Sequence, residues 1–313
     1  MKAYVFDPLW PSLITDKHKE KLSSAGLIIN LTTEMAPLTQ NKELFLDTED
    51  KILGINPDYV EWSLPSEKFN KINGLKAILT QSTSYGWIDT QCATDNGTAV
   101  VNTRNFSTDA VADWAILMML NVARKVPLLI KNKFPLNYGS DFETYQGMNL
   151  KGKKAGIIGL GNIGNAIAEQ CAGLGMEVSY WNRSEKNAPF NKVADLDKLI
   201  KESDVIFPTL ADTEDTKNII TDEHLKSMQE RSMLISIVHK SYNHELALQL
   251  ASSNKIWGYG FEDEPQSFDT HEGNVWAAPA YGWCTDGSLR QSMDQFVDLL
   301  CSAAQGEYKN KVN

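Results

Sequence analysis

The stretch Ala155–Gly164, AGIIGLGNIG, decides how the second half of this chain folds. A short apolar run opens into a G-x-G-x-x-G pattern at Gly159, Gly161 and Gly164. A helical pattern, Asn165–Leu174, follows at once. This order of strand, glycine turn and helix is the arrangement that binds the pyrophosphate of a dinucleotide.

Each part of this turn has its own expected role. Gly159 permits the tight turn, Gly161 lets the backbone approach the phosphates, and Gly164 lets the helix pack closely on the strand. The amide groups near Asn162 and Ile163 are expected to face the anion, at the positive end of the helix dipole. The alternative interpretation is a glycine-rich turn in another kind of α/β protein.

The next predicted strand, Glu177–Trp181, runs into a polar segment that bears on the choice of cofactor. An NAD-preferring site carries Asp or Glu about 20 residues past the glycines, where it accepts from the ribose hydroxyls. Asn182 removes the charge that would repel a 2′-phosphate, and Arg183 and Ser184 supply a cation and a hydroxyl to hold it. The sequence therefore predicts NADP, with NAD as the alternative. On the other interpretation, Arg183 is only a solvated loop cation.

Composition limits the class of protein. The 313 residues suffice for two domains, and 42% hydrophobic with 22% charged residues is ordinary for a globular enzyme. A net charge of −10 argues against nucleic acid or an anionic membrane as a partner. No apolar run reaches transmembrane length, the five histidines lack metal-ligand spacing, and the four scattered cysteines indicate free thiols. We expect a cytoplasmic protein without a metal.

The first hundred residues alternate apolar runs with helix-like stretches, which predicts a small α/β unit with a mostly parallel sheet. Its predicted strands are Tyr4–Phe6, Leu27–Leu31, Ile52–Ile55, Ala77–Leu79 and Ala99–Val101. A long helix is predicted from Asp109 to Lys125, followed by an irregular stretch over residues 128–150.

The second unit is predicted to begin near Lys151 and to form a doubly wound sheet. Its predicted strands are Ala155–Ile158, Glu177–Trp181, Val205–Phe207, Met233–Val238, Lys255–Tyr259 and Val275–Ala277. A last helix, 286–304, is expected to return to the first unit and leave a cleft between two domains. We assign residues 1–102 plus 284–313 to a substrate domain and 103–283 to a nucleotide domain.

Several longer stretches together identify a family. They are Leu75–Asp89, Gly97–Thr103, Ala110–Asp113, Asn149–Gly164, Met233–Ser236 and Phe261–Pro265. Over nearly its whole length the chain resembles the D-isomer-specific 2-hydroxyacid dehydrogenases. The resemblance implies an α/β fold of two Rossmann-like domains, hydride transfer between a nicotinamide and a small, anionic carbonyl or hydroxy acid, and a homodimer. It also makes Ser82, Thr83 and Ser84 substrate-loop positions and Val111 a cofactor position.

The catalytic positions implied by the resemblance are only partly filled. The family uses a cation that anchors the substrate carboxylate, a histidine that exchanges the proton, and a carboxylate that pairs with the histidine. Glu264 fills the carboxylate position, whereas Glu262 and Asp263 are interpreted as solvated loop acids. Ala280 stands in the histidine position. His239 and Lys240 replace the usual Arg-Gly, and Tyr259 replaces an Asp.

Two hypotheses account for these replacements. In the first, the protein is a working reductase in which His239 donates a proton, Glu264 supports it and Lys240 holds an anionic group of the substrate. Alternatively Glu264 is itself the acid, or Tyr259 or Tyr281 donates. In the second hypothesis the protein binds NADP(H) without turnover, as a sensor or interaction protein, because loss of a general acid alone costs about 10²–10⁴ in rate.

Overall fold

The computed structural model describes residues 1–133, 142–211, 213–237, 241–263 and 271–313. The chain divides into two compact units. The first contains Met1–Ser107 and Thr285–Asn313, and the second contains Thr108–Cys284.

The first unit is built on a parallel sheet of five strands in the order β2-β1-β3-β4-β5. The strands are β1 Lys2–Phe6, β2 Ile28–Thr32, β3 Lys51–Ile55, β4 Leu75–Thr80 and β5 Ala99–Asn102. Its helices are α1 Trp10–Leu13, α2 Asp16–Ser24, α3 Lys42–Leu46, α4 Ser66–Phe69 and α5 Thr90–Asp95, with 3₁₀ turns at Leu38–Gln40 and Pro57–Val60. Strands β3 to β5 are almost wholly buried, as expected of a parallel sheet covered on both faces.

The chain's last helix covers one face of that sheet. It spans Asp286–Ala304, the range predicted from the sequence, and contacts α2, β3 and β4. Its buried face includes Met293, Phe296 and Val297. Gly54 of β3 allows this packing, because a Cβ there would lie 2.9 Å from the Phe296 ring. Both the mostly parallel sheet and the returning helix are therefore confirmed.

The second unit opens with the long helix α6, Thr108–Ala123, which is followed by α7 Val126–Lys131 and α8 Phe142–Tyr145. Its strands are β6 Lys154–Ile158, β7 Glu177–Trp181, β8 Asn191–Lys192, β9 Val205–Pro208, β10 Met233–Ser236, β11 Gly258–Asp263 and β12 Val275–Pro279. The remaining helices of the unit are α9 Asn162–Gly173, α10 Leu196–Glu202, α11 Asp222–Lys226 and α12 His244–Ser252, and a 3₁₀ turn spans Glu214–Thr216. The chain's last helix, Asp286–Ala304, is α13 and belongs to the first unit.

These strands form one parallel sheet in the order β12-β11-β10-β9-β6-β7-β8 across the described residues. The order reverses direction beside β6, where β7 lies on one side and β9 on the other. In open α/β sheets, ligands bind outside the carboxyl ends of the strands at such a switch point. The glycine turn that follows β6 lies at this point.

The predicted strand Lys255–Tyr259 is displaced in the structure. Asn254 adopts a left-handed conformation with φ of 56°, and pairing in β11 begins only at Gly258. A Cβ on Gly258 would lie 2.7 Å from Val122 of α6, and one on Gly260 would lie 3.0 Å from the Ile235 side chain. These glycines are strand residues that give the helix and the neighbouring strand room to pack. The prediction ended the strand too early.

The stretch 128–150 is less irregular than expected at its start. Helix α6 ends at Ala123, and Lys125 adopts a left-handed conformation with φ of 54°. Pro127 then occupies the first turn of α7, a position where its missing N–H costs nothing. Pro127 therefore follows the end of the long helix α6 and also lies in the first turn of the short helix α7.

Candidate active site

The turn between β6 and α9 is a tight backbone arrangement that glycine makes possible. Gly159 has φ of +100°, which side chains rarely tolerate, and a Cβ there would lie 2.9 Å from Leu210. A Cβ on Gly164 would lie 2.2 Å from the Gly159 carbonyl oxygen and 2.7 Å from the Thr209 hydroxyl. Helix α9 therefore packs directly against the turn at a residue that has no room for a side chain.

Gly161 differs from these two glycines because it faces open space. Apart from its chain neighbours, no heavy atom of the described residues lies within 4 Å of the position its Cβ would take. Gly161 is also the N-cap of α9, and within the described part of the chain no side-chain hydrogen bond caps the helix there. The backbone at Gly161 is therefore accessible directly before the first turn of a twelve-residue helix. An anion could approach this surface, where helix N–H groups and the helix dipole would favour it.

Asn182, at the end of β7, connects this turn to the next loop. Its Oδ1 accepts from the backbone N–H of Leu160 at 3.2 Å. Its Nδ2 donates to the Ser184 carbonyl oxygen at 2.9 Å and to the Ser184 hydroxyl at 3.1 Å. A neutral amide therefore occupies the position where an acid would favour NAD, and it holds Ser184 close to the glycine turn.

Arg183, next to this amide, extends into solvent. Its guanidinium Nη1 lies 3.3 Å from a carboxylate oxygen of Asp215, and the two side chains are 69% and 73% exposed. An ion pair this exposed contributes little stability, so the guanidinium can exchange partners at small cost. A ligand phosphate at this position would compete with the Asp215 carboxylate.

The substrate-loop candidates follow β4 in the first unit. The Ser82 hydroxyl is buried, donates to the Ser84 carbonyl oxygen at 2.6 Å and lies 2.9 Å from the Thr80 hydroxyl. Ser82 therefore shapes the loop. Thr83 and Ser84 are exposed, and the Asn102 side chain donates to the Thr83 carbonyl oxygen at 2.7 Å. Val111, predicted to contact the cofactor, lies on α6 in the core of the second unit.

Glu262 was expected to be a solvated loop acid, and that prediction is wrong. Its side chain is half-buried on β11, and its Oε1 accepts from the backbone N–H of Gly282 at 2.9 Å. Burial raises the pKa of Glu262 to about 7, an effect that the Gly282 hydrogen bond partly opposes. The sequence signal that could have located it is period-2 alternation: Gly258, Gly260 and Glu262 share one face of the strand.

Tyr259 lies on the opposite face of β11 and is fully buried. Its hydroxyl lies 2.7 Å from the Tyr242 hydroxyl and 2.9 Å from Nδ1 of His244, and its ring stacks on Phe261 with 4.7 Å between centroids. These contacts place the hydroxyl inside the core, which contradicts the hypothesis that Tyr259 donates a proton to a substrate. Tyr281, the other tyrosine considered, is 60% exposed.

Three predicted catalytic or substrate residues lie outside the described residues, namely Glu264, His239 and Lys240. The side chain of Asp263 is likewise outside the described part. Ala280, which the sequence comparison predicted to stand in the histidine position, is exposed. In the described part of the chain, no group of three His, Cys, Asp or Glu side chains is arranged to hold a metal ion. No described helix is long and apolar enough to cross a membrane.

Comparison with known proteins now identifies the class. The family model "D-isomer specific 2-hydroxyacid dehydrogenase, NAD binding domain" matches residues 116–279. A glyoxylate reductase from Thermococcus onnurineus is 31% identical over 254 residues, which cover 75% of this chain and 74% of that one. A glycerate dehydrogenase from Methylorubrum extorquens is 27% identical over 263 residues, which cover 79% and 82% of the two chains.

Solved structures show the same fold along the whole chain. A glyoxylate reductase from Paecilomyes thermophila has a TM-score of 0.80 at 22% identity, covering 99% of this chain and 97% of that one. An acyclic imino acid reductase solved with NADPH and D-Arg also has a TM-score of 0.80, at 23% identity and full coverage of both chains.

The chain belongs to the D-isomer specific 2-hydroxyacid dehydrogenases. It has the two-sheet α/β fold of that family and is an NAD(P)-dependent oxidoreductase acting on CH–OH or carbonyl groups.

Proposed function

We propose that this protein is an NADP(H)-dependent reductase of a small, anionic carbonyl compound, working with altered catalytic residues. The observation that supports it most is the open backbone at Gly161, at the start of α9, together with a neutral Asn182 beside it. When bound, the nicotinamide supplies or accepts the hydride.

The phosphate contacts follow from the polar groups around the glycine turn. The backbone at Gly161, Asn162 and Ile163 would hold the pyrophosphate. Arg183 and Ser184 would hold the 2′-phosphate, with the guanidinium leaving Asp215 to bind it. Because Asn182 is uncharged, it adds no repulsion against that phosphate. NADP is therefore the proposed cofactor, and NAD is expected to bind more weakly.

The substrate class follows from the family and from the remaining polar groups. Glyoxylate reductases and a glycerate dehydrogenase are among the relatives, which supports a small 2-keto or 2-hydroxy acid. The loop Ser82–Ser84 and Lys240 are proposed to contact the substrate. Glu264 and His239 are proposed to be further catalytic residues. A lysine binds a carboxylate as a point charge, with less control of its orientation than a bidentate arginine.

We also propose a homodimer, located in the cytoplasm. An exposed apolar face on α6 supports the dimer, because Leu117 is 41% and Leu120 is 39% exposed to solvent. Light scattering coupled to size exclusion is expected to give twice the mass of a 35.0 kDa chain. A single-chain mass at working concentration would contradict the dimer without affecting the proposed reaction.

The direct test of function is NADPH oxidation in the presence of 2-keto acids, aldehydes, enones and imines. We expect turnover with at least one small anionic carbonyl compound, and faster turnover with NADPH than with NADH. Cofactor binding without turnover across the whole panel would contradict the reductase and support the alternative of a binding protein.

The cofactor preference has a matched set of variants. Arg183→Ala should weaken NADPH binding about tenfold or more, because a charged hydrogen bond contributes about 1.5–3 kcal/mol, and should leave NADH within about twofold. Asp215→Asn should strengthen NADPH binding by removing the competing carboxylate. Arg290→Ala removes a similarly exposed arginine, paired with Asp286 in the first unit, and should change neither affinity. Equal losses for both cofactors in Arg183→Ala would refute the assignment.

A further inference from the structure

Glu262 and the turn after β12 form a contact that the catalytic positions expected from the sequence do not include. Strands β11 and β12 are parallel neighbours, with Glu262 opposite Ala278. The chain then turns through Pro279, Ala280 and Tyr281, and the Gly282 amide donates to Glu262 Oε1 at 2.9 Å. The carboxyl of Glu262 is therefore tied to the turn that carries Ala280, the position at which related enzymes hold their catalytic histidine.

The surroundings of this carboxyl are built to keep it in place. A Cβ on Gly282 would lie 2.9 Å from Glu262 Oε1 and 3.0 Å from Cδ1 of Trp114, so Gly282 leaves room for both side chains. Trp114 of α6 and the Glu262 carboxyl therefore lie near the same point of the backbone. Its indole N–H is buried and has no acceptor among the described residues. A buried donor without an acceptor is costly, and a polar ligand atom would satisfy it.

The carboxyl is also in a suitable protonation state. Its pKa, raised by burial to about 7, leaves a substantial protonated fraction at neutral pH. On α6, the acid Asp113 is exposed and accepts from the Gln170 side chain at 2.7 Å. On the turn after β12, the titratable groups Tyr281 and Cys284 are exposed. Among the described residues, burial and the Gly282 hydrogen bond are the two causes that set the protonation of Glu262.

We propose that Glu262 is the proton donor of this enzyme and replaces the histidine that Ala280 cannot supply. This inference rests on the proposed reductase function. The exposed Ala280 side chain leaves the turn without an imidazole, and the Gly282 amide holds an acid next to that turn. The Trp114 N–H is the second polar group at the same place, and we assign to it a hydrogen bond with the substrate.

The proton balance of the step is simple. The carbonyl carbon of the substrate accepts hydride, and the electron pair of the carbon–oxygen π bond moves to the oxygen. The oxygen uses that pair to form the new O–H bond. The proton of that bond comes from the Glu262 carboxyl, whose own O–H bond breaks. The carbonyl compound is reduced to an alcohol and the nicotinamide is oxidised. Glu262 remains as a carboxylate, still accepting from Gly282, and takes a proton from water before the next turnover.

The test is Glu262→Gln, which keeps an oxygen acceptor for the Gly282 amide and removes only the titrating proton. We expect kcat to fall about 10²–10⁴-fold while NADPH affinity stays within about twofold. In the wild-type protein, kcat/KM for reduction should be level at low pH and fall above about 7, since the acid must be protonated. The residual kcat/KM of Glu262→Gln should not show this decrease at high pH.

Two further variants keep the result interpretable. Glu177→Gln removes an exposed acid at the start of β7 and should change nothing. Glu262→Asp keeps an acid on a shorter side chain, and should recover part of the lost rate together with the fall at high pH. If Glu262→Gln does not fold, the Glu262→Asp profile carries the test.

The outcomes separate the two proposals. A wild-type protein that turns over while Glu262→Gln keeps its rate within about threefold overturns the role of Glu262 and leaves the reductase intact. A purely structural Glu262 gives this same result, because glutamine preserves the hydrogen bond. A wild-type protein that binds NADPH and reduces nothing overturns both proposals.

Discussion

Two regions of the nucleotide unit differ in what holds them together. The turn after β6 consists of backbone, shaped by glycines at Gly159, Gly161 and Gly164, and it follows the pattern expected of a dinucleotide site. The region where β11 and β12 end depends on a side chain, because the Glu262 carboxyl accepts from the Gly282 amide and ties the two strand ends together. The difference shows that backbone geometry shapes the first region, whereas a contact between a side chain and a distant backbone group shapes the second.

The glycine turn provides the largest expected effect. Gly164→Ala places a Cβ 2.2 Å from the Gly159 carbonyl oxygen, which the strand and helix cannot relieve without moving apart. We expect the free energy of unfolding to fall by about 3 kcal/mol, measured by urea denaturation.

The control for this variant lies in the same helix. Gly173, at the end of α9, has no heavy atom of the described residues within 4 Å of its Cβ position, apart from its chain neighbours and the backbone of its own helix. Gly173→Ala should keep or raise stability by up to about 1 kcal/mol. Equal stability of the two variants would show that α9 does not pack on the turn as described.

The second region provides the next effect through the pH dependence of stability. The folded pKa of Glu262, about 7, lies above its ordinary value of 4.5. The folded protein binds the Glu262 proton more tightly than the unfolded chain does. This difference stabilises the folded state fully below pH 4.5, and the stabilisation is lost as the pH rises toward 7. Relative to Glu262→Gln, wild-type protein should therefore lose about 2–3 kcal/mol of stability over that range. If the difference in unfolding free energy between the two proteins stays constant from pH 4 to 8, the burial of the Glu262 carboxyl is contradicted.

The smallest effect separates function from folding at the glycine turn. Gly161→Ala adds its Cβ in open space, so stability should be nearly unchanged. The same methyl group would occupy the surface along which a pyrophosphate approaches, and we expect cofactor affinity to fall about tenfold, or about 1.4 kcal/mol. Calorimetric titration alongside urea denaturation checks both expectations. Lower stability with unchanged affinity would reverse the roles assigned to Gly161 and Gly164.

The sequence predicted the parts of the molecule that depend on local pattern. The bounds of the last helix, the turn after β6 and both sheets, apart from the two-residue edge strand β8, follow from apolar periodicity and glycine spacing. The start of β11 did not, because Gly258 and Gly260 serve contacts with Val122 and Ile235 that are distant in sequence. Glycine in an apolar run is ambiguous until the packing partner is known.

Side-chain environments were the least predictable feature. Glu262 stands in an acidic segment that is typical of a solvated loop, yet it is half-buried, and the Gly282 amide that donates to it follows a different strand. Tyr259 was considered as a proton donor, yet its hydroxyl contacts Tyr242 and His244 in the core. Both outcomes depend on which face of β11 a residue occupies. The predicted strand ended at Tyr259, so the sequence did not assign Glu262 to either face.

The account depends most on the claim that the backbone after β6 holds a nicotinamide dinucleotide. Isothermal titration of the wild-type protein with NADPH, and separately with NADH, tests that claim without needing a substrate. We predict saturable binding at one site per chain, tighter for NADPH. If neither NADPH nor NADH gives heat beyond dilution, the glycine turn is not a cofactor site in this protein.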